Sequence, residues 1–181
     1  VLDAGIVEVD AIRFEHEVGE GRRLLAGGDA EGASVVLREA IGLWRGPALL
    51  DFTYEPFAQG AIARLEELRM LAQEERVEAG LALGRHAELV ADLEALIDEY
   101  PLRERLRGQL MLALYRSGRQ SEALAAYLEA RRVLVEEVGV EPGPALGDAD
   151  VSGQRTCPAP VTTYFVEVIS GSPIGPRACS F

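Results

Sequence analysis

Lysine and asparagine are absent from this chain, and all 18 of its basic residues are arginines. That bias is what a GC-rich genome imposes on codon usage and carries no mechanism. Cysteine occurs twice, at Cys157 and Cys179 near the C-terminus. No disulfide framework can therefore staple the rest of the chain, and a reducing cytoplasm is the expected setting. No uninterrupted apolar run approaches the ~20 residues of a membrane span, and the front shows no basic stretch followed by an apolar signal core. Membrane partners are not expected. Catalytic constellations are lacking as well. His16-Glu17 is half of a helical zinc-protease motif, but Glu20 stands where the second histidine is required, and the other histidine, His86, lies far along the chain. With no glycine-rich phosphate loop, nucleophile elbow or Cys-His pairing, neither enzymatic activity nor a cofactor or metal is expected.

What is present is a repeated corner. In ALYRSGRQSEALAAYLEA, residues 113–130, one helical run breaks at Ser117-Gly118 and a second begins at once. Small or apolar residues follow at Ala123, Tyr127 and Ala130, one side of a helix. Gly118 suits the left-handed position that ends a helix, because a residue without Cβ meets no steric penalty there. Gly84 precedes Gly118 by one tetratricopeptide period and is followed at the same offsets by Leu89, Leu93 and Leu96. Gly28 is followed likewise by Ala33, Leu37 and Ala40. The interval from Gly28 to Gly84 is longer than that period, and the excess between the first two units includes LWRGPALLDFTYEPF.

Taken in order, the chain divides into three parts. Residues 1–9 read as a short extended pair about Asp3-Ala4-Gly5, too small to stand alone. Because Val1 is not Met, they are expected to be the trailing hairpin of an N-terminal partner domain. Residues 10–146 read as helices. Asp10 caps the first, to about Ala26; Asp29 caps the second, which Gly46-Pro47 stops; a long third runs from about Pro56 to Leu83. The fourth spans about Ala87 to Glu99, Pro101 opens the fifth, and the sixth ends at Gly139. The predicted fold is all-α, a tetratricopeptide-like right-handed superhelix of about three antiparallel pairs with an irregular tail. On the third helix, Glu66, Glu67, Glu74 and Glu75 with Arg64, Arg69 and Arg76 are expected on a solvated ion-pair face. Residues 147–181 lose helical period, apart from a possible strand at Thr162 to Ile169, and read either as an out-of-frame or truncated stretch or as a flexible tail.

Residues 9–146 resemble the bacterial transcriptional activator domain, the tetratricopeptide-like module of the antibiotic-pathway regulators called the SARP family. The resemblance rests on VDAIRFE, on EAIGLWRGPAL, on the run from RLEELRM through EARRVL, and on GVEPGPAL. It implies a regulatory domain that contacts proteins, with RNA polymerase or a second copy of itself as partner. DNA binding would reside in a winged helix-turn-helix domain upstream of Val1. A generic tetratricopeptide-like scaffold unrelated to transcription is the alternative, and an upstream helix-turn-helix pattern would separate the two.

Two groups of residues are candidates for protein contact. Trp44 and Arg45 stand at the Gly46-Pro47 break, where Trp44, Phe52, Tyr54 and Phe57 gather in a chain that is otherwise aromatic-poor. They form either a small satellite core that pins the insertion or a patch for a partner. Tyr115, Arg116 and Arg119 flank the central turn, where arginines also complement a helix C-terminus and Tyr115 also suits packing.

Residues 1–146 carry 27 acidic residues against 16 arginines, a balance of −11. Affinity for duplex DNA depends on neutralising phosphates, and Glu104 and Glu122 interrupt the densest arginine group, Arg103, Arg105, Arg107, Arg116 and Arg119. Residues 10–146 are therefore expected not to bind DNA. A mobility-shift assay at low salt checks this, and tight salt-sensitive binding would refute it.

Overall fold

The computed structural model describes residues 10–140; the expected hairpin at 1–9 and the chain from Glu141 onward, including the tail, lie outside the described residues. Every regular element within them is helical: α1 (Asp10–Ala26), α2 (Ala30–Gly42), α3 (Gln59–Ala82), α4 (His86–Glu99), α5 (Glu104–Arg116) and α6 (Gln120–Val133). A short 3-10 turn, Leu50–Phe52, precedes α3, and a π-turn, Leu134–Val138, extends α6. The chain forms two compact units, one to Arg85 and one from His86.

The three glycine corners share one hydrogen-bond pattern. Gly28, Gly84 and Gly118 take φ of 84°, 76° and 77°. Each glycine N–H donates to the carbonyl three residues back, and the next residue's N–H donates to the carbonyl five residues back. The pairs are Gly28 to Leu25 with Asp29 to Leu24, Gly84 to Leu81 with Arg85 to Gly80, and Gly118 to Tyr115 with Arg119 to Leu114. This Schellman arrangement satisfies carbonyls that a helix end would otherwise leave open. Gly139, φ 75°, closes the π-turn with bonds one residue wider, Gly139 to Val135 and Val140 to Leu134. After the first corner, Asp29 caps α2 by accepting from the Gly32 N–H at 2.9 Å.

In the first unit, α2 packs on both α1 and α3, and α1 also touches α3. Phe14 and Val18 of α1, Ala33, Leu37 and Ala40 of α2, and Leu65, Ala72 and Ala79 of α3 share one core with Ala48 of the intervening loop. The small residues let the backbones approach: a Cβ built on Gly21 would stand 2.5 Å from Leu37 Cγ. Two ion pairs set α1 against α3, Arg22 to Glu75 at 2.8 Å and Arg64 to Glu15 at 2.6 Å. In the second unit α5 is central and packs on α4 and α6. Its run Leu106–Met111 is buried on every side, including Arg107 and Gln109. Leu89, Leu93 and Leu96 of α4, and Ala123 and Ala130 of α6, are buried as their offsets from the corners require, with Tyr127 half-buried.

Several expected boundaries move. Pro56 lies in a turn, and α3 begins only at Gln59, whose side-chain amide donates to Thr53 O at 2.7 Å and holds the turn in place. Pro101 likewise lies in a turn before α5, and its carbonyl accepts from Arg107 Nε at 2.8 Å. The acidic face expected on α3 is only partly solvated. Glu74 and Glu75 are buried, because α3 is covered on more than one side, and Glu75 meets Arg22.

Because Leu37 is fully buried and cannot yield, Gly21→Ala should destabilise the chain by about 1–3 kcal/mol through overpacking. Gly19→Ala, where a Cβ meets nothing within 4 Å, should stabilise it by roughly 0.5–1 kcal/mol. Chemical denaturation of the two variants reads both, and equal midpoints would show that the α1–α2 approach is not tight.

Candidate protein-interaction surface

The first candidate group sits where α2 ends. Leu43 and Trp44 close the last turn with i to i−3 bonds to Ala40 and Ile41, and the chain then crosses Gly46-Pro47. The Ala48 N–H donates to Glu66 Oε1 of α3 at 2.8 Å, which anchors the loop beneath its rim. Leu49 follows with φ 48° and ψ 46°, the only non-glycine residue at positive φ among those described. For a leucine that conformation costs about 1–2 kcal/mol. Thr53 Oγ1 then donates to Leu50 O at 2.7 Å, and the 3-10 turn leads into the α3 approach.

Trp44 is contacted by two side chains. Phe14 meets it edge-on at 5.3 Å and 82°, and the Arg69 guanidinium lies 4.9 Å from its ring centroid. Beside it opens a groove of about 480 Å³, lined by α1 residues Asp10, Ala11 and Phe14, by Leu43 to Leu50, and by Leu65 of α3. The aromatics after the break do not join Trp44 in a satellite core. Phe52 and Phe57 tilt on each other at 6.0 Å yet are 47% and 76% exposed, and Tyr54 is 96% exposed. With Leu50 at 64% exposure they form a clustered apolar surface, unlike the single exposed side chains that any domain carries. Arg45 is exposed and reaches Asp10 Oδ2 at 3.4 Å, a surface pair of small energetic weight.

The second group belongs to the other compact unit and forms its own cluster. Tyr115 is half-buried, and its carbonyl accepts from Gly118 N–H in the corner. Arg119 grips Glu122 with two bonds, Nε to Oε1 at 2.8 Å and Nη2 to Oε2 at 2.6 Å. That hydrogen bonding holds the Glu122 carboxyl below its usual range. Arg116 is exposed, and its charge acts on His86, the first residue of α4. His86 has a buried Nδ1 without a hydrogen-bond partner, and burial first, then Arg116, lowers its pKa. Arg107, counted by sequence among the densest arginines, is buried against Pro101 O and adds nothing to a basic surface.

Sequence reasoning named Trp44 and Arg45 as candidates but not their neighbours Phe14, Arg69 and Leu49. Phe14 stands far from Trp44 in the chain, on another helix, and Arg69 looked like any other charge on a solvated helix face. Nothing in the letters marks a leucine as left-handed.

The chain matches the model of the bacterial transcriptional activator domain over residues 9–150. The chain belongs to that family. Its relatives include the regulatory protein DnrI of Streptomyces peucetius, 43% identical over 146 residues, which cover 81% of this chain and 54% of DnrI. The regulatory protein AfsR of Streptomyces griseus is 47% identical over 129 residues, 71% of this chain and 13% of AfsR. The chain thus spans about half the length of one relative and a small part of the other. A solved structure of Mycobacterium tuberculosis EmbR in complex with a low affinity phosphopeptide superposes with a TM-score of 0.75 at 36% identity, covering 90% of this chain and 43% of EmbR. The fold and the SARP-type family expected from sequence are those found. No described helix is long and apolar enough to cross a membrane.

His86 gives this domain a pH dependence of known sign. Its folded pKa lies below the unfolded value of about 6.5, so the unfolded chain takes up the proton first. Stability is full above that unfolded value and falls as the pH drops through it toward the folded pKa. Thermal midpoints measured between roughly pH 7.5 and 5.5 should decline for the parent chain and decline less for His86→Gln. Parallel profiles would show that His86 is not desolvated.

Proposed function

We propose that this domain is the regulatory, protein-contacting part of a bacterial transcriptional activator, working in the cytoplasm, and that DNA is read by a separate part of the regulator. The carrying observation is the apolar surface of Leu50, Phe52, Tyr54 and Phe57 beside the Trp44 groove, on a chain of net charge −12. An acidic surface is repelled by phosphates, whereas exposed aromatic and leucine side chains beside a concave groove suit protein contact. The family supports the regulatory setting, and the phosphopeptide bound to EmbR supports peptide or protein contact as a mode of its relatives.

Trp44 and Arg45 border this surface, whereas Tyr115 and Arg119 are tied into the corner that joins α5 to α6. The contact to RNA polymerase, or to a second copy of the domain, is therefore assigned to the Trp44 groove and its loop. Chemistry on a substrate is not part of this reading.

The test uses an intact regulator that carries this domain. Leu50→Ser with Phe57→Ser should lower promoter activation at least tenfold, with operator binding and helical content unchanged. Activation at the parent level would remove this surface from the mechanism. Equal loss of operator binding would show instead that these residues support the DNA-binding part.

A further inference from the structure

The occupant of the Trp44 groove can be narrowed by its charge and shape. The floor is apolar: Ala11, Phe14, Leu43, Trp44 and Leu65. The loop that forms the adjoining surface, residues 49–59, carries Asp51 and Glu55, both exposed, and no basic residue. Asp10 stands on the α1 side of the groove and is paired with Arg45 at 3.4 Å, so these two charges on the groove wall offset each other. The second basic group near the floor, Arg69, is stacked on Trp44 and lies 3.7 Å from Glu66, so it is turned inward and already engaged. The acidic charge next to the apolar floor is thus that of the adjoining loop, at Asp51 and Glu55. Leu49, left-handed and 39% exposed, places backbone strain in the groove wall itself.

We propose that this groove takes a basic amphipathic helix of a protein partner, leucine-like side chains seated between Trp44 and Leu50 and lysines or arginines set against Asp51 and Glu55 of the loop. Recognition of this kind places apolar anchors at i, i+3, i+4 and i+7 along one face and opposite charge around them. A groove of about 480 Å³ is of the size that holds a few such anchors. The inference rests on the protein-contact function and names the chemistry of the partner.

Trp44 is the only tryptophan of the chain, so its emission reports the groove directly. The full chain is titrated with three peptides of about 14 residues: leucines at helical spacing among lysines, the same composition scrambled to destroy the face, and the first design with glutamate for lysine. The expected result is a blue shift of Trp44 with the basic amphipathic peptide and none with the other two. Leu50→Ser should weaken that binding roughly tenfold. Asp51→Arg with Glu55→Arg should weaken it and admit the acidic peptide; all three positions are exposed, and circular dichroism confirms that the variants fold. Equal binding of the scrambled peptide, binding of the acidic peptide to the parent chain, or no response to any of the three overturns the proposal. So does a Trp44 shift that follows the concentration of the chain alone, which would make the occupant a second copy. If the peptides fail while Leu50→Ser with Phe57→Ser still abolishes activation in the intact regulator, the protein-contact function stands and the basic partner falls. If activation also survives, both fall.

Discussion

Every helix end in this domain that passes straight into the next helix at a glycine depends on one residue that can hold positive φ. At Gly28, Gly84 and Gly118 the backbone must leave one helix and enter the next while two carbonyls of the outgoing helix find donors. Only a left-handed residue presents its own N–H and the next to those carbonyls at once, and a side chain there would add a strain of about 1–2 kcal/mol. The consequence reaches beyond the turn. Because the three corners are alike, the incoming helix starts in the same phase each time. The residues five, nine and twelve positions later therefore face inward: Ala33, Leu37 and Ala40, then Leu89, Leu93 and Leu96, then Ala123 and Ala130. Backbone chemistry at a single residue sets which side chains become core.

That coupling is why the architecture was legible in the letters. A glycine followed by a fixed apolar phase is a local pattern, and local patterns survive folding. What could not be read depends on neighbours far away in sequence. Glu74 and Glu75 carry the same spacing as any solvated carboxylates, but α3 is covered on more than one side and Glu75 is met by Arg22 from α1. The starts of α3 and α5 were placed at their prolines by propensity. Side-chain bonds from Gln59 and Arg107 instead hold the preceding residues in turns and delay each helix. The site was half legible for the same reason. An aromatic cluster after a Gly-Pro break stands out, whereas the Phe14 edge, the Arg69 stack and the left-handed Leu49 exist only in three dimensions.

The long interval between the first and second corners has its physical explanation in the groove. A direct glycine corner after α2 would have brought the next helix back at once and left no room for an open surface. The chain instead runs on through Leu43 to Ala58, anchored at Ala48 by Glu66 and at Thr53 by Gln59. These two bonds tie the middle of the loop to α3 on either side of Leu50 and Phe52, which stay exposed there. A loose loop with the same composition would collapse Phe52, Tyr54 and Phe57 onto the nearest apolar floor, because burying such side chains gains about 1.5–3 kcal/mol each.

In the proposed reading those outward side chains act together with the domain's charge. A net charge of −12 favours, in that reading, cationic protein segments over nucleic-acid phosphates. Charge alone selects poorly, since any basic segment would respond to it. The groove would supply what charge lacks: Trp44 contacts both Phe14 and Arg69, and a side chain braced in this way loses little entropy on meeting the proposed partner. The arginine stacked on Trp44 is engaged there and by Glu66, and Arg45 is paired with Asp10, so Asp51 and Glu55 set the charge of the adjoining loop. Arg69 thus has two roles in one arrangement: it stacks on the tryptophan of the apolar floor and meets Glu66, the same side chain that anchors the loop at Ala48.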